Sequence, residues 1–289
     1  YLNIGTTYGN GTFKIGGNWT NNLGVFTPGS GTVIFNGSDN QSIIRSGGET
    51  FNKLSIDNSG AQASKRVILP NDVTVTNILS MKNGVVNTGT YRLFLSNKAA
   101  TSLNYTSATG SRILGKFERG IDQAQTYLFP LGTSTHYNPA NIKPNAAPSS
   151  GTILSEFLTS PLPGNVGLPI PDPPVEIDTA YVDGYWSLTS LNGFSSGNFN
   201  INLNGSGFIS EPIRDITRVI KRTTGGPWVI DGTHSDAVGD VVFRNNLTGG
   251  IDNTGTQFAL GKANPLITYN PVSLIVCEKT NPSFTVAAT

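Results

Sequence analysis

The sequence predicts an all-β protein in which an N-terminal right-handed β-solenoid (β-helix) is followed by an antiparallel β-sandwich. Short β-branched or aromatic runs recur between residues 11 and 97, separated by Gly, Asn, Ser or Thr. The chain contains 34 Gly and 17 Pro, and only 13% of its residues are charged, which disfavours surface helices. Beyond residue 110 the runs are more widely spaced and several alternate, as strands of an antiparallel sheet do.

Residues 1–110 are predicted to form the solenoid. Its runs alternate or cluster as strands do, and turn signals such as Asn83-Gly84 lie between them. Stacked rungs leave an open strand edge at each end, so we expect the next domain to cover one end. The predicted rung strands are 12–15, 32–35, 42–45, 51–56, 66–69, 73–76 and 91–95.

Residues 111–268 are predicted to form the sandwich. Its clearest strand is 198–203, where Phe199, Ile201 and Leu203 are expected to face the core and the alternating Asn residues to face water. Segment 160–174 contains six prolines and is predicted to be a long surface loop, available for contacts together with the rung turns. Other predicted strands include 185–188, 215–221, 228–230, 241–243 and 257–260.

Residues 269–289 are predicted to form a linker and two strands, 272–276 and 283–286. Two strands alone do not bury a core. They either add to the sandwich or open a further domain. Cys277 is the single cysteine, so no disulfide forms within these residues. It is either a buried apolar residue or half of a disulfide whose partner lies beyond residue 289.

Charge and hydropathy argue against two classes of partner. The net charge is +1 and the 19 basic residues are scattered, so the basic surface that nucleic acids require is not expected. No apolar stretch reaches the length of a membrane span, so membrane insertion is not expected.

No catalytic residue, cofactor site or metal site is predicted. His136 and His234 lack the spacing of a metal or catalytic motif, and both are expected to be structural or solvated. The segment 231–240 holds three aspartates, but its spacing matches no calcium loop and predicts a plain polar loop. The rung acids, which could support glycoside hydrolysis, are expected at turns or strand ends; they are Asp39, Glu49, Asp57 and Asp72.

Aromatic residues are the remaining candidates for contact with sugar rings. Trp186 and Trp228 lie inside predicted strands and are expected in the core. Trp19 lies among Gly and Asn residues and is therefore the candidate for an exposed contact aromatic, with stacking between rungs as the favoured alternative.

Several of these segments resemble a known group of proteins. Segments 16–22, 26–37 and 51–57 are similar to the β-helical parts of very large secreted surface proteins of Bacteroidetes, among them gliding adhesins. Segment 129–133 with Tyr137, then Tyr185-Trp186 and 258–261, resembles the domain that often follows them. The resemblance brings no catalytic residue with it.

The resemblance implies further properties. Such proteins are exported by the type IX secretion system, which implies an extracellular location at the cell surface. Residues 272–277 and 284–286 look like the first strands of an immunoglobulin-like repeat, which supports a disulfide from Cys277 to a downstream cysteine. Segment 178–180 matches the short O-glycosylation signal of Bacteroidetes, with Thr179 as the acceptor beside the proline-rich loop.

The sequence therefore predicts a non-enzymatic structural and adhesive segment of a large bacterial surface protein. Its expected partners are other domains of the same chain, surface glycans or neighbouring cells, and the type IX machinery during export. Two alternatives stay open. One is a subunit of an extracellular fibre assembled by strand addition through 272–286. The other is a carbohydrate-binding or polysaccharide-degrading β-helix protein.

Overall fold

The computed structural model describes residues 10–61, 65–106 and 110–265, together with residue 283 and the short strands at 7–8, 267–269 and 287–288. Within these residues the only helical element is a 3₁₀ turn at Ala100–Ser102, and strands dominate. A β-solenoid of about four turns is followed by a second, antiparallel sheet, which confirms the predicted fold class. No helix in the described ranges has the length and apolar character needed to cross a membrane.

Twelve strands belong to the solenoid and its junction with the sandwich. They are β1 (Thr7–Tyr8), β2 (Thr12–Ile15), β3 (Trp19–Thr20), β4 (Phe26–Thr27), β5 (Thr32–Phe35), β6 (Gln41–Ile44), β7 (Glu49–Asp57), β8 (Arg66–Ile68), β9 (Val73–Asn83), β10 (Val85–Leu95), β11 (Leu103–Tyr105) and β12 (Arg112–Ile121).

The remaining strands build the sandwich and a terminal pair. They are β13 (Tyr127–Phe129), β14 (Ala140–Pro144), β15 (Gly151–Leu158), β16 (Ile170–Asp172), β17 (Val175–Ala180), β18 (Tyr185–Leu191), β19 (Phe199–Asn204), β20 (Arg218–Thr223), β21 (Thr233–Val238), β22 (Val241–Leu247), β23 (Thr256–Pro265), β24 (Ile267–Tyr269) and β25 (Ala287–Ala288).

Successive rungs of the solenoid pair in parallel and in register. Phe35 pairs with Ile56, and Ile56 pairs with Met81, so one turn takes 21–25 residues along this face. All three side chains are fully buried. Apolar residues at equivalent positions of neighbouring rungs therefore stack into one column, which explains why the β-branched and aromatic runs recur along the sequence.

Several rung strands are longer than predicted because they continue around a corner of the solenoid. β9 pairs with β7 and β10 through 73–75, and with β7 and β11 through 79–81. The predicted turn at Asn83-Gly84 is the corner between β9 and β10, where Gly84 has a φ of +115°. A Cβ there would lie 3.2 Å from the Lys65 carbonyl oxygen, so this corner requires glycine.

β12 connects the two parts of the molecule. Phe117 on this strand pairs with Leu93 of β10 in parallel and with Ser155 of β15 in antiparallel orientation. One hydrogen-bonded sheet therefore runs from the solenoid into the sandwich, and the expectation that the next domain covers one solenoid end is confirmed.

The sandwich places this continued sheet against a second sheet of order β13-β14-β19-β22-β21. In β19 the residues Phe199, Ile201 and Leu203 are buried and the alternating Asn side chains are half-buried, which confirms the predicted alternation. Phe199 meets Phe258 of the facing sheet edge-on, with ring centroids 6.5 Å apart. Trp186 is also fully buried, as predicted.

Three local predictions need correction. Segment 228–230 is no strand, since only Val229 forms an isolated bridge, to Lys221, although Trp228 is buried as expected. Segment 231–240 is not a plain loop but contains β21, which pairs with β22. Segment 160–174 is a loop only in its first part, because it ends in the edge strand β16. Pro171 is tolerated in β16 because this strand lies at the edge of the sheet, where the missing N–H of proline is not needed for pairing.

The C-terminal predictions fall largely outside the described residues. Strand 272–276, most of 283–286 and Cys277 are among the residues that the structure does not describe. Nearby, β24 and β25 pair in antiparallel orientation, with Ile267 opposite Ala288.

Candidate functional site

Trp19 lies inside the solenoid, with an exposure of 1%. Its ring packs edge-on against Phe26 and Phe51, at centroid distances of 4.9 and 5.3 Å. The indole Nε1 donates to Glu49 Oε2 over 2.8 Å. The prediction of an exposed contact aromatic is therefore wrong, because residues from the neighbouring rungs enclose the ring and bind its polar atom. The favoured alternative, stacking between rungs, matches this packing.

Glu49 is the acceptor at the centre of this cluster. Asn21 Nδ2 donates to the same Oε2 over 3.0 Å, and Arg45 forms an ion pair with Oε1 at 3.3 Å. Glu49 is only 3% exposed, so these partners satisfy a carboxylate inside the solenoid. Glu49 thus holds three rung segments together.

The other rung acids differ from Glu49 in burial, although Asp72 lies beside it, since the Asp72 carbonyl oxygen accepts the Glu49 N–H over 3.0 Å. Asp39 and Asp72 are exposed and Asp57 is half-buried at the end of β7. Asp72 forms an ion pair with Arg92 at 3.4 Å. Glu49 is thus buried and bonded inside the solenoid, whereas Asp39, Asp57 and Asp72 reach solvent.

A second buried carboxylate, Glu118, lies on the junction strand β12 and was not singled out by the sequence. Arg92 of the solenoid forms an ion pair with Glu118 Oε2, while Thr152 of the sandwich donates to Oε1 over 2.7 Å. Asn192 donates to the same Oε1 over 3.3 Å. Glu118 thus links side chains from both halves of the molecule, in addition to the backbone pairing of β12.

A third buried ionic centre joins the two sheets of the sandwich. Asp172 of β16 binds Arg218 Nε at 2.8 Å and Arg244 Nη1 at 2.6 Å. Both arginines are almost fully buried, and Arg244 belongs to the second sheet. Burial acts to raise the pKa of Asp172, but the hydrogen bonds and charges of the two arginines outweigh it and lower this pKa. The centre ties the proline-rich segment to both sheets.

Asp231, the first acid of segment 231–240, is bound within the sandwich. Its carboxylate forms an ion pair with Lys221 and accepts the backbone N–H groups of Thr248 and Gly249. Burial opposes ionisation, but these donors prevail and lower the pKa of Asp231 to about 2. His234 Nε2 lies 2.8 Å from the Asp215 carbonyl oxygen. No group of three metal-ligating side chains occurs among the described residues.

Thr179 lies in a different setting from the one expected. It is half-buried within β17, opposite Lys262 of β23, and its hydroxyl donates to Asp178 Oδ1 over 3.1 Å. The neighbouring proline-rich loop is also held in place, since Trp228 Nε1 donates to the Gly164 carbonyl over 2.8 Å. O-glycosylation of Thr179 stays a prediction.

Comparisons with family models, with curated proteins and with solved structures found no match for this chain. The resemblance to the Bacteroidetes surface proteins, and the export route it implies, stay predictions.

Proposed function

We propose that this chain is a non-enzymatic structural and adhesive segment of a large bacterial surface protein, exported by the type IX secretion system. The observation that supports the proposal best is the double pairing of β12. This strand carries backbone hydrogen bonds to the solenoid on one edge and to the sandwich on the other. Two domains joined by a flexible linker would move independently, whereas two that share a strand act as one stiff body.

The buried ion pairs support the same role. Glu118 adds side-chain bonds to both sides of the junction, and Asp172 fastens the edge strand β16 to the second sheet. A tensile load on the chain would pass from rung to rung through backbone hydrogen bonds, and then through β12 into the sandwich. The segment would serve to hold binding surfaces at a distance from the cell, with partners in the same chain, on surface glycans or on neighbouring cells.

The location can be tested by mass spectrometry of the protein isolated from the surface of its native cells, reduced and unreduced, with peptide mapping. We expect a chain far heavier than 30.6 kDa, with Cys277 bonded to a cysteine outside this sequence. A product of about that mass with a free thiol at Cys277 would contradict the proposal and favour the fibre subunit.

The mechanical role can be tested by single-molecule force spectroscopy on the wild type and on Glu118→Gln. The wild type is expected to unfold in one event that spans the solenoid and the sandwich. Glu118→Gln removes the ion pair with Arg92 at similar volume but leaves the backbone pairing of β12, so we expect a single event at lower force. Glu176→Gln on β17, away from the junction, is the matched control. Separate unfolding of the two parts in the wild type would contradict the shared mechanical unit.

A further inference from the structure

A pocket of about 310 Å³ lies where four segments of the sandwich meet. They are the turn 133–138, the end of β15, Asp183 and the loop 206–209. Pockets for small ligands span about 300–1,000 Å³, so this one has room for a single ring rather than a chain of them. It is separate from the three ionic centres described above.

Asn138 supplies a buried polar atom at this pocket. The residue is 1% exposed, and its Nδ2 donates to the Asn204 and Ser206 carbonyl oxygens over 3.2 and 2.8 Å. These two donors fix the orientation of the amide. The acceptor Oδ1 is buried and has no hydrogen-bond partner among the described residues. Buried acceptors are nearly always paired, so an unpaired one in the wall of the pocket is unusual.

The walls of the pocket are held in place by internal hydrogen bonds. Thr133 Oγ1 accepts the backbone N–H of His136 over 3.0 Å, which closes the turn. The Asp183 carboxylate accepts the backbone N–H of Ile209 over 2.8 Å and the hydroxyl of Ser210, which fixes the opposite loop. A pocket formed in advance loses little conformational entropy on binding.

His136 is one of the exposed polar side chains of the pocket. Its Nδ1 lies 3.0 Å from Thr135 Oγ1, and its ring lies against Gly207. A Cβ on Gly207 would lie 2.2 Å from the ring carbons, so glycine at this position allows the imidazole to rest there. Gly207 also has a φ of +79°, which favours glycine.

We propose that this pocket binds the terminal ring of a neutral glycan. Its polar side chains carry hydroxyl and imidazole groups and one carboxylate, that of Asp183, and the hydroxyls and the imidazole match ligand hydroxyls that both donate and accept hydrogen bonds. Phe157 and Phe208 contribute apolar surface suited to the C–H face of a sugar ring. The Asp183 carboxylate disfavours an anionic ligand, and its oxygens are already bonded to Ile209 and Ser210. The inference rests on the proposed adhesive function and names its ligand class.

The test uses saturation-transfer difference NMR of the whole chain with the methyl pyranosides of glucose, galactose, mannose and N-acetylglucosamine. Methyl glucuronide is the charged comparison. We expect transfer to at least one neutral glycoside. His136→Ala removes one exposed hydrogen-bonding group and is expected to weaken the binding of that glycoside about tenfold.

Two glycine variants separate an effect on the pocket from a general effect on the backbone. Gly207→Ala places a methyl group against His136 and is expected to abolish binding. Gly225→Ala is the matched control, because Gly225 has a φ of +78° but nothing within 4 Å of the added Cβ. We expect it to bind as the wild type does. If Gly207→Ala does not fold, the loss of binding in His136→Ala decides whether the pocket is the binding site.

Three results would overturn the inference. They are no transfer to any neutral glycoside, transfer to the glucuronide alone, or equal binding by wild type, His136→Ala and Gly207→Ala. None of them bears on the mass or force measurements proposed above, because those do not involve the pocket. The adhesive ligand and the structural role can therefore fail independently.

Discussion

The solenoid and the sandwich are stabilised by polar contacts of different range. In the solenoid, side chains of one rung bind the backbone of the next. Asn18 Oδ1 accepts the Ser42 N–H over 2.9 Å, and Asn40 Oδ1 accepts the Arg66 N–H over 3.2 Å. In the sandwich, Asp172 binds Arg244, 72 residues away and in the other sheet.

This difference follows from the two architectures. A rung contacts only its neighbours, so asparagines at the turns can align each rung on the previous one. Two facing sheets share no backbone hydrogen bonds, and their alignment depends on side chains that reach across the core. We therefore expect damage to stay local in the solenoid and to spread between the sheets in the sandwich.

The largest loss in the free energy of unfolding is expected for Asp172→Ala. It leaves Arg218 and Arg244 buried without their carboxylate, and removing one partner of a buried ion pair costs about 3–5 kcal/mol. Urea denaturation would measure the loss in the free energy of unfolding. Amide hydrogen exchange should increase in β16 and β20 of the continued sheet and also in β22 of the second sheet.

The matched control for Asp172→Ala is Asp240→Ala, at an exposed turn position. It is expected to change stability by less than about 0.5 kcal/mol. An equally small loss for Asp172→Ala would show that the two sheets do not depend on this centre.

A smaller and local effect is expected for Glu49→Ala in the solenoid. The buried donors of Trp19 and Asn21 lose their acceptor, at a cost of about 2–3 kcal/mol in the free energy of unfolding. Faster amide exchange should be confined to β3, β6 and β7. Glu49→Gln keeps an acceptor oxygen and is expected to lose about half as much. Faster amide exchange throughout the sandwich would contradict the expectation that damage in the solenoid stays local.

The smallest effect is a pH dependence that arises from Asp231. Its folded pKa of about 2 lies below the ordinary 3.8, so its stabilisation is complete above about pH 4 and is lost as pH falls toward 2. The difference in unfolding free energy between wild type and Asp231→Asn should shrink by about 1 kcal/mol between pH 5 and pH 3. Urea denaturation at both pH values would measure it. A constant difference would show that Lys221 and the Thr248 and Gly249 amides do not stabilise the carboxylate.

The rung strands could be predicted because burial follows sequence periodicity directly. Strands 12–15 and 32–35 have the predicted bounds, and Phe199, Ile201 and Leu203 alternate as expected. β21 was missed because an edge strand with both faces largely exposed carries no apolar pattern. Its polar residues look like those of a loop.

The polar centres could not be predicted, because each depends on residues far apart in the sequence. Trp19 has polar neighbours along the chain, but Glu49 and Phe51 of the next rungs surround it. Asp172 was visible only as part of a proline-rich segment. Two adjacent charged residues inside an apolar strand, Glu118 and Arg119, are the local signal that could have marked β12 as unusual.

The shared strand β12 also bears on the order in which the protein folds. The first pair of rungs must close a loop and order two strands together, whereas each later rung adds to an existing edge. Since β15 pairs with β12 from the sandwich side, a folded sandwich presents such an edge in β12. We therefore expect the sandwich to serve as a template for the solenoid, with rungs added from β10 toward β2, against the direction of the chain.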